Sequence, residues 1–370
     1  MAGDLADLLA VTADVGRRVI APLATELDDG LWSDEIWSAL SDLDVFGLST
    51  AERLGGLGQP YSSYLWVTAE LSRASAVAGL LPALNVLVAR ALEQADSEEA
   101  MHSYLPGLLS GEDVACWAFT EPATGSDPRS ITTRAEPVPD GWRLTGQKSF
   151  ISHSSHATVA VVFAQLNGEL TAFIGRTDEG FHAGARERLL AFNGADTGSV
   201  TLDGFMATHM LGSPAGGFDV LRRGEAEAKL RASAISLGIC QNALAVATAY
   251  AQLRTHRGAS IGEKFASTQW LLAECAAKTV TVHSLLEHAA AQFDHGVASA
   301  GLAASVKLMS SRLAREVATD AVQVLGAYGA SRDYPVEMLY RQAKVYELVQ
   351  GVSEINRTII ANELLRSSDH

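Results

Sequence analysis

WAFTEPATGSD, from Trp117 to Asp127, is the most specific segment of this chain and decides its fold. An apolar run ends at Phe119, and a turn rich in Pro, Gly and small polar residues follows it. Such a turn directs hydroxyl and backbone N–H groups outward, where they can bind a planar heterocycle and a phosphate. These residues alone leave an ordinary surface turn open as the alternative.

A second segment about twenty residues later supports a ligand site. Leu144 to His153 reads LTGQKSFISH and places the aromatic Phe150 and the hydroxyl of Ser152 close together at a strand end. This pair could lie behind a flavin ring and donate a hydrogen bond to it. The scattered histidines, such as His153 and His156, are interpreted as turn residues rather than catalysts.

The periodicity of apolar residues predicts an α+β, mainly α protein of three domains. Residues 1–115 form an N-terminal helical domain with a break at Pro82, and residues 116–215 form a compact β domain of antiparallel strands. Residues 216–370 form a C-terminal bundle of long, Ala-rich antiparallel helices, which is predicted to be a four-helix bundle. The strands include Ala157–Phe163, Leu170–Ile174 and Ser199–Leu202; the long helices are Glu225–Arg254, Thr268–His295 and Ala298–Leu325.

Composition restricts the function. The chain has 370 residues, 48% hydrophobic and 19% charged, enough for a large core. A net charge of −15 argues against nucleic acid or an anionic membrane as partner. Three cysteines without CxxC spacing indicate buried thiols in a reducing compartment. Without a signal peptide or an apolar run judged long enough to cross a bilayer, the chain is predicted to be cytoplasmic. The sequence shows neither a GxGxxG after a strand nor a metal-binding motif.

The chain resembles the acyl-CoA dehydrogenase family over nearly its whole length. WAFTEPATGSD is similar to the TEPxAGSD flavin loop of that family, and LTGQKSFISH to its NGxKxWITN strand. FGLSTAERLGGL and YLPGLLSGE resemble its N-terminal domain, and QVLGAYG, YPVEMLYRQAK and INRTIIANELL resemble its last bundle. The resemblance implies an N-terminal helical domain, a middle β domain, a C-terminal four-helix bundle and bound FAD.

The resemblance also implies which residues bind FAD. Thr120 would bond the pyrimidine edge of the flavin and Ser126 its pyrophosphate. Phe150 would replace a tryptophan against the ring, and Ser152 a threonine beside flavin N5. The whole implied set on the flavin side is Phe119, Thr120, Gly125, Ser126, Phe150 and Ser152. On the adenosine side, partly from a neighbouring subunit, it is Arg254, Gln323, Gly326, Ala327, Val352 and Glu354.

Several of these positions depart from the family pattern. Arg257, Ala327, Val352 and Gln342 stand where the family has phenylalanine, glycine, threonine and aspartate. A solvated helix face and a helix C-cap are the alternative roles for Arg254 and Gln323.

The usual catalytic base is missing. In YELVQGVSEINR, Gln350 occupies the place of the family's glutamate, and an amide cannot accept a proton near neutral pH. Some members carry the base on an earlier helix, at the position of Ala228 here. A shift of one residue would make Glu227 the base; the acidic preference of a helix N-terminus is the alternative explanation. Lys229 falls near a family arginine that lies beside the substrate.

We therefore expect FAD-dependent α,β-dehydrogenation of an acyl thioester carried on CoA or a carrier protein. The electron acceptor would be one such as an electron-transfer flavoprotein, and the assembly a homodimer or homotetramer. A base-deficient partner subunit of a heteromer, or a flavoprotein with other chemistry such as oxygen-dependent oxidation, stays open. A scaffold without flavin is the third hypothesis, against which the hydroxyls of Thr120, Ser126 and Ser152 argue.

Overall fold

The N-terminal part of the chain is helical, as predicted. The computed structural model describes residues 2–95 and 97–366. Helix α3 (Asp34–Asp42) illustrates how local sequence forms these helices. Ser33 Oγ accepts a hydrogen bond from the Ile36 amide and caps the helix, whose apolar face is buried. The helices of this part are α1 (Ala2–Val15), α2 (Ala24–Asp29), α3 (Asp34–Asp42), α4 (Tyr61–Ala74), α5 (Ala76–Leu80), α6 (Ala83–Ala95) and α7 (Glu98–Ser110).

The break predicted at Pro82 separates α5 from α6. Two helical segments, Ala76–Ala95 and Gly217–Leu253, are long and apolar enough to cross a membrane by length and composition, so the expectation that no such run exists was wrong. Of their most apolar windows, 78% and 61% is buried inside the chain. Both segments therefore pack as core helices of this fold.

The middle part is a sheet with strand order β6-β7-β3-β2-β4-β5-β8, and β1 pairs with β4. Most pairings are antiparallel, as predicted, but β1 runs parallel to β4, and β2 meets β4 in parallel at a single pair. The strands are β1 (Ala115–Ala118), β2 (Arg134–Val138), β3 (Gly141–Ile151), β4 (Val159–Leu166), β5 (Glu169–Arg176), β6 (Phe181–Arg186), β7 (Gly198–Ala207) and β8 (His209–Leu211).

Strand β4 is buried on both faces of the sheet. Val159, Val161 and Phe163 point to a cluster shared with α6 and α7, while Ala160 and Val162 point to a second cluster within the β domain. Because successive side chains of a strand alternate between faces, an uninterrupted apolar run marks a strand that is buried on both.

The C-terminal part is a bundle in which α8, α10 and α11 pack against one another and α13 packs against α11. Helix α8 begins at Gly217, eight residues before the predicted start, and its Gly238 allows close approach to Ser72 of α4. Cys116, Cys240 and Cys275 are all buried and free. The elements are α8 (Gly217–Leu253), β9 (Thr255–His256), β10 (Ala259–Ser260), α9 (Ile261–Lys264), α10 (Ala266–Asp294), α11 (Ala300–Leu325), α12 (Val336–Tyr346) and α13 (Ser353–Arg366).

Candidate active site

A buried ion pair joins the two segments that sequence analysis singled out. Lys148 Nζ of β3 lies 2.9 Å from Glu121 Oε1, and both side chains are inaccessible to solvent. Glu121 also accepts hydrogen bonds from the backbone and hydroxyl groups of Thr132 and Thr133, and Lys148 donates to the carbonyls of Phe119 and Phe163. The polar atoms of the pair are thus satisfied, which a buried pair requires.

The same contacts shift both pKa values. Burial raises the pKa of Glu121, but the hydrogen bonds from Thr133 and the charge of Lys148 outweigh it and lower the pKa to about 2. Burial lowers the pKa of Lys148 to about 8, although Glu121 opposes the shift. Sequence reasoning missed this pair, although both charges stand inside the quoted motifs.

The turn held by this pair exposes the residues predicted to bind a ligand. The Thr120 carbonyl accepts a hydrogen bond from the Ser149 amide at 2.9 Å, which ties the turn to β3. Gly125 lies close to Thr120, because a Cβ at Gly125 would be 3.5 Å from Thr120 Cγ2. Gly125 and Ser126 are exposed at the tip of the turn. Phe119 is half-buried and packs edge-on against Phe163.

Phe150 is held in an unusual conformation beside this turn. Its φ is +57°, and the pairing of β3 with β7 shifts register between Lys148 and Ile151. A bulky residue in the left-handed region is strained by about 1–3 kcal/mol. The residue is nevertheless 59% exposed, so packing within this chain does not offset the strain. Ser152 Oγ lies 3.1 Å from Thr197 Oγ1 at the end of the same strand. Such an exposed ring beside a hydroxyl offers a platform for a planar ligand.

Gln350 lies in a tight loop between α12 and α13. Its φ is +55°, and its side-chain Oε1 is buried without a hydrogen-bond partner among the described residues. The carbonyl of the next residue, Gly351, accepts hydrogen bonds from Lys307 Nζ at 2.7 Å and Asn356 Nδ2 at 2.8 Å. Lys229 is also adjacent, since its Cε is 3.5 Å from the position of a Cβ at Gly351. Two amines therefore surround the loop that lacks the carboxylate.

The first turns of α8 present different faces to different neighbours. Lys229 Nζ pairs with Glu225 Oε2 at 2.7 Å on the side of the Gly351 loop. Glu227, in contrast, lies 2.9 Å from Arg90 Nε and accepts a hydrogen bond from Gln94 of α6. Residues two apart on a helix differ by about 200° in direction, which explains the opposite orientations.

Glu227 was predicted to be the catalytic base, but in the structure its carboxylate pairs with Arg90. Burial raises its pKa and Arg90 opposes that shift, so its carboxylate is the counter-ion of an interior guanidinium. Glu225 is the carboxylate of α8 that pairs on the side of Gln350. Alignment by residue number could not separate the two, because the rotation of the helix decides which one faces the loop.

Two contacts bring the sheet, α8 and α12 to one place. A Cβ at Gly224 of α8 would lie 3.4 Å from the ring of Trp117, at the start of the flavin-like segment. Phe192 of the β domain packs edge-on against Tyr346 of α12, four residues before Gln350. The strand that leads into the exposed turn therefore packs on the first turns of α8, and the β domain also contacts α12 just before the Gln350 loop.

Four of the residues predicted for the adenosine side, Arg254, Gln323, Gly326 and Ala327, lie at one end of the bundle, whereas Val352 and Glu354 lie at the Gln350 loop, which Lys307 contacts near the start of α11. Arg254 is the C-cap of α8, and Gly326 ends α11 with a φ of +62°. Rings of Tyr250 and Tyr328, 6.3 Å apart, link these two ends. The exposed residues of the predicted set are Arg254, Gln323, Gly326, Ala327 and Glu354, whereas Val352 is half-buried in the Gln350 loop.

Gln342 departs from the family aspartate for a visible reason. Its Nε2 donates a hydrogen bond to the buried Asp28 Oδ1 at 2.9 Å, and Arg341 pairs with the other oxygen of Asp28. An aspartate at position 342 would face Asp28 with a like charge. Glutamine at this position therefore avoids repulsion between two carboxylates where α2 contacts α12.

The fold is that of a three-domain α+β protein, with a sheet between two helical domains. The chain matches the acyl-CoA dehydrogenase N-terminal domain over residues 4–112, the middle domain over 116–205 and the C-terminal domain over 215–365. It belongs to the acyl-CoA dehydrogenase family.

Individual relatives agree over nearly full length. The probable acyl-CoA dehydrogenase FadE25 of Mycobacterium tuberculosis is 32% identical over 362 residues, which is 95% of this chain and 93% of that protein. The human mitochondrial short-chain specific acyl-CoA dehydrogenase is 30% identical, covering 97% and 90%. The structure of butyryl-CoA dehydrogenase from Megasphaera elsdenii superposes with a TM-score of 0.94 at 29% identity, covering 98% of both chains.

Proposed function

We propose that this protein catalyses FAD-dependent α,β-dehydrogenation of an acyl thioester carried on CoA. The observation that carries the proposal is the exposed ring of Phe150, held in a strained conformation between the Thr120 turn and Ser152. Support comes from relatives named as acyl-CoA dehydrogenases across nearly the whole chain.

The residues present fit the flavin of FAD. Phe150 offers an aromatic plane, Ser152 offers a hydroxyl two residues further along the chain, Thr120 offers a second hydroxyl on the turn tied to β3, and Ser126 with the adjoining turn suits a phosphate. Bound FAD supplies an acceptor for the hydride that leaves the β-carbon of the substrate. On the adenosine side, Arg254 and the Gln323–Ala327 turn share one exposed end of the bundle and would meet the cofactor of a neighbouring subunit. Val352 and Glu354 complete the proposed set.

The chain must also accept the α-proton of the substrate. Gln350 cannot do so, because its amide has no accessible protonation step near neutral pH. Of the two carboxylates on α8, Glu227 is occupied by Arg90, while Glu225 pairs with Lys229 beside the Gly351 loop. We therefore assign the proton acceptor to Glu225 in place of Glu227. Lys229 would hold that carboxylate and face the substrate.

Assembly and partners follow from the same proposal. Large apolar side chains are exposed on the bundle, including Leu253 at 81% and Trp270 at 70%, which favours a homodimer or homotetramer. An electron-transfer flavoprotein is the proposed electron acceptor. The three buried free thiols agree with a cytoplasmic location.

A second candidate function rests on Gln350. A base-deficient chain could serve as the flavin-binding partner of a competent subunit, or carry out other flavin chemistry. Anaerobic mixing of the purified flavoprotein with saturated acyl-CoA thioesters separates the candidates. Loss of the flavin absorbance band supports dehydrogenation by this chain alone. A yellow protein that no thioester bleaches, but that becomes active with a second subunit, supports the partner role. A protein that binds no FAD contradicts both.

A further inference from the structure

A buried lysine on α11 contacts the loop that carries Gln350. Lys307 is 1% exposed, and its Nζ donates a hydrogen bond of 2.7 Å to the carbonyl of Gly351. Burial, together with the nearby charge of Lys229, lowers the pKa of Lys307 to about 8, because both disfavour the ammonium form. An ammonium group kept in the interior against this penalty indicates that its contact with the loop matters to the protein.

The nearby carboxylates do not explain the position of Lys307. Three glutamates attract its charge, but each of them pairs with a different basic side chain. The pairs are Glu225 with Lys229 at 2.7 Å, Glu347 with Lys344 at 2.6 Å, and Glu354 with Arg357 at 3.5 Å. The ammonium group of Lys307 is therefore directed at the backbone of the loop rather than at an ion-pair partner.

The conformation of the loop depends on contacts from outside it. Gln350 and Gly351 both have positive φ values, +55° and +83°. The left-handed region is unfavourable for a residue with a side chain, so the backbone of Gln350 is strained. Its Oε1 is buried without a hydrogen-bond partner among the residues that the structure describes, so the backbone of the loop sets where this side chain points. A contact that fixes the Gly351 carbonyl therefore fixes the neighbouring side chain as well.

Three helices converge on Gly351. Helix α11 contributes Lys307, and α13 contributes Asn356, whose Nδ2 donates to the same carbonyl at 2.8 Å. Helix α8 contributes Lys229, whose Cε is 3.5 Å from the position of a Cβ at Gly351. Lys229 in turn pairs with Glu225, the proposed proton acceptor. A shift of the loop would therefore displace that carboxylate through its lysine partner.

We propose that Lys307 is a positioning residue for the dehydrogenation. By bonding the Gly351 carbonyl it holds the loop, and through the loop it keeps Lys229 and the Glu225 carboxylate in place for the substrate. A charged donor suits this task, because a hydrogen bond from an ammonium group is shorter and stronger than one from a neutral amide. This inference rests on the proposed function, since Glu225 has a proton to accept only if this chain dehydrogenates a thioester.

The first measurement follows the loop directly and needs no turnover. Hydrogen–deuterium exchange of the flavin-loaded protein, read by mass spectrometry, reports opening of the peptide that covers residues 347–356. Lys307→Met removes the ammonium group but keeps a side chain of similar length, and such replacements of a buried charge are often neutral for folding. Exchange in this peptide should become about tenfold faster or more, while the long helices of the bundle exchange as in the wild type.

The second measurement separates positioning from a general structural role. Anaerobic flavin reduction at saturating acyl-CoA gives the limiting rate, and titration with a CoA thioether gives the affinity without turnover, because a thioether lacks the carbonyl that acidifies the α-proton. Lys307→Met should lower the limiting rate by about 10²-fold, the effect of misplacing a reacting group by about 1 Å. Its flavin content and its affinity for the thioether should stay at the wild-type values.

Lys278→Met is the matched control. Lys278 Nζ of α10 lies 2.8 Å from Asp320 and 3.6 Å from Glu316, so its removal also weakens the packing of α11. This variant should keep the wild-type exchange in residues 347–356 and the wild-type limiting rate. Lys307→Gln is a second variant at the site itself. Its polar side chain is one bond shorter and does not reach the Gly351 carbonyl, so it should behave like Lys307→Met.

The outcomes separate the inference from the function it rests on. If acyl-CoA bleaches the wild-type flavin but the Lys307 variants keep a protected loop or an unchanged limiting rate, the inference is overturned and the proposed function stands. Loss of flavin and thioether affinity together with the rate also overturns it, because that pattern marks a general structural role. If no thioester bleaches the wild-type flavin, the proposed function is wrong, and the exchange measurement alone decides whether Lys307 holds the loop.

Discussion

Restoring a carboxylate at position 350 should raise dehydrogenase activity. Gln350→Glu exchanges an amide for an acid of the same shape, so the left-handed backbone at φ +55° is retained and stability should change little. The new carboxylate would sit in the loop that Lys307 holds and Lys229 touches, and two nearby ammonium groups favour its ionised form. A positioned base contributes roughly 10²- to 10⁴-fold, so we expect flavin reduction to accelerate by about that range.

The assay is anaerobic stopped-flow reduction of the flavin by an acyl-CoA, followed through loss of its absorbance. The rate for Gln350→Glu should rise with pH while the new carboxyl ionises and then level off, because only the ionised form accepts a proton. Gln165→Glu in β4 makes the same amide-to-acid exchange elsewhere and should have no effect. If the Gln350→Glu variant keeps its flavin but bleaches no faster than Gln165→Glu, the argument that a base is missing from this loop is refuted.

Three further predictions follow from the ion pairs. Lys148→Met leaves Glu121 buried without its cation and should cost about 3–5 kcal/mol of stability, measured by urea unfolding. The variant should also lose flavin binding. An unchanged unfolding midpoint would show that the pair does not hold the turn. The folded-state pKa of Glu121 is lowered to about 2, so its contribution to folding stability is complete above its unfolded-state pKa of about 4.5 and is lost as the pH falls toward 2. Glu121→Gln should therefore flatten the decline in stability at acid pH. Glu225→Gln should slow flavin reduction by about 10²- to 10⁴-fold with little loss of stability. Glu227→Gln should instead destabilise the fold, because it leaves Arg90 unpaired. The reverse result would assign the role of base to Glu227.

Local patterns predicted the fold well because each rests on short-range physics. The helix break at Pro82 follows from the missing amide of proline, and the apolar run at Val159–Phe163 follows from burial on both faces of a strand. The parallel pairing of β1 with β4 could not be predicted, since strand partners separated by about forty residues leave no local pattern.

The motif residues of the candidate site could be predicted from the sequence, but the partners of its charged side chains could not. Thr120, Phe150 and Ser152 stand in recognisable motifs, and the Ser149 amide, which donates to the Thr120 carbonyl, joins the two motifs in the structure. Glu227 illustrates the limit: its partner Arg90 is 137 positions earlier in the chain, and only packing of α8 on α6 shows which face carries the carboxylate. Sequence numbering places a side chain on a helix, but the neighbouring helix decides where that side chain points.

The charge around the site shows what the exchange at Gln350 does to the local electrostatics. Although the chain carries a net charge of −15, the layer beneath the Gln350 loop is rich in cations. Its basic side chains are Arg90, Lys229, Arg231 and Lys307, and its carboxylates are Glu225 and Glu227. Burial and the nearby charge of Lys229 together lower the pKa of Lys307 to about 8, as expected where positive charges crowd. A glutamate at position 350 would relieve this crowding, so its absence leaves the site more positive.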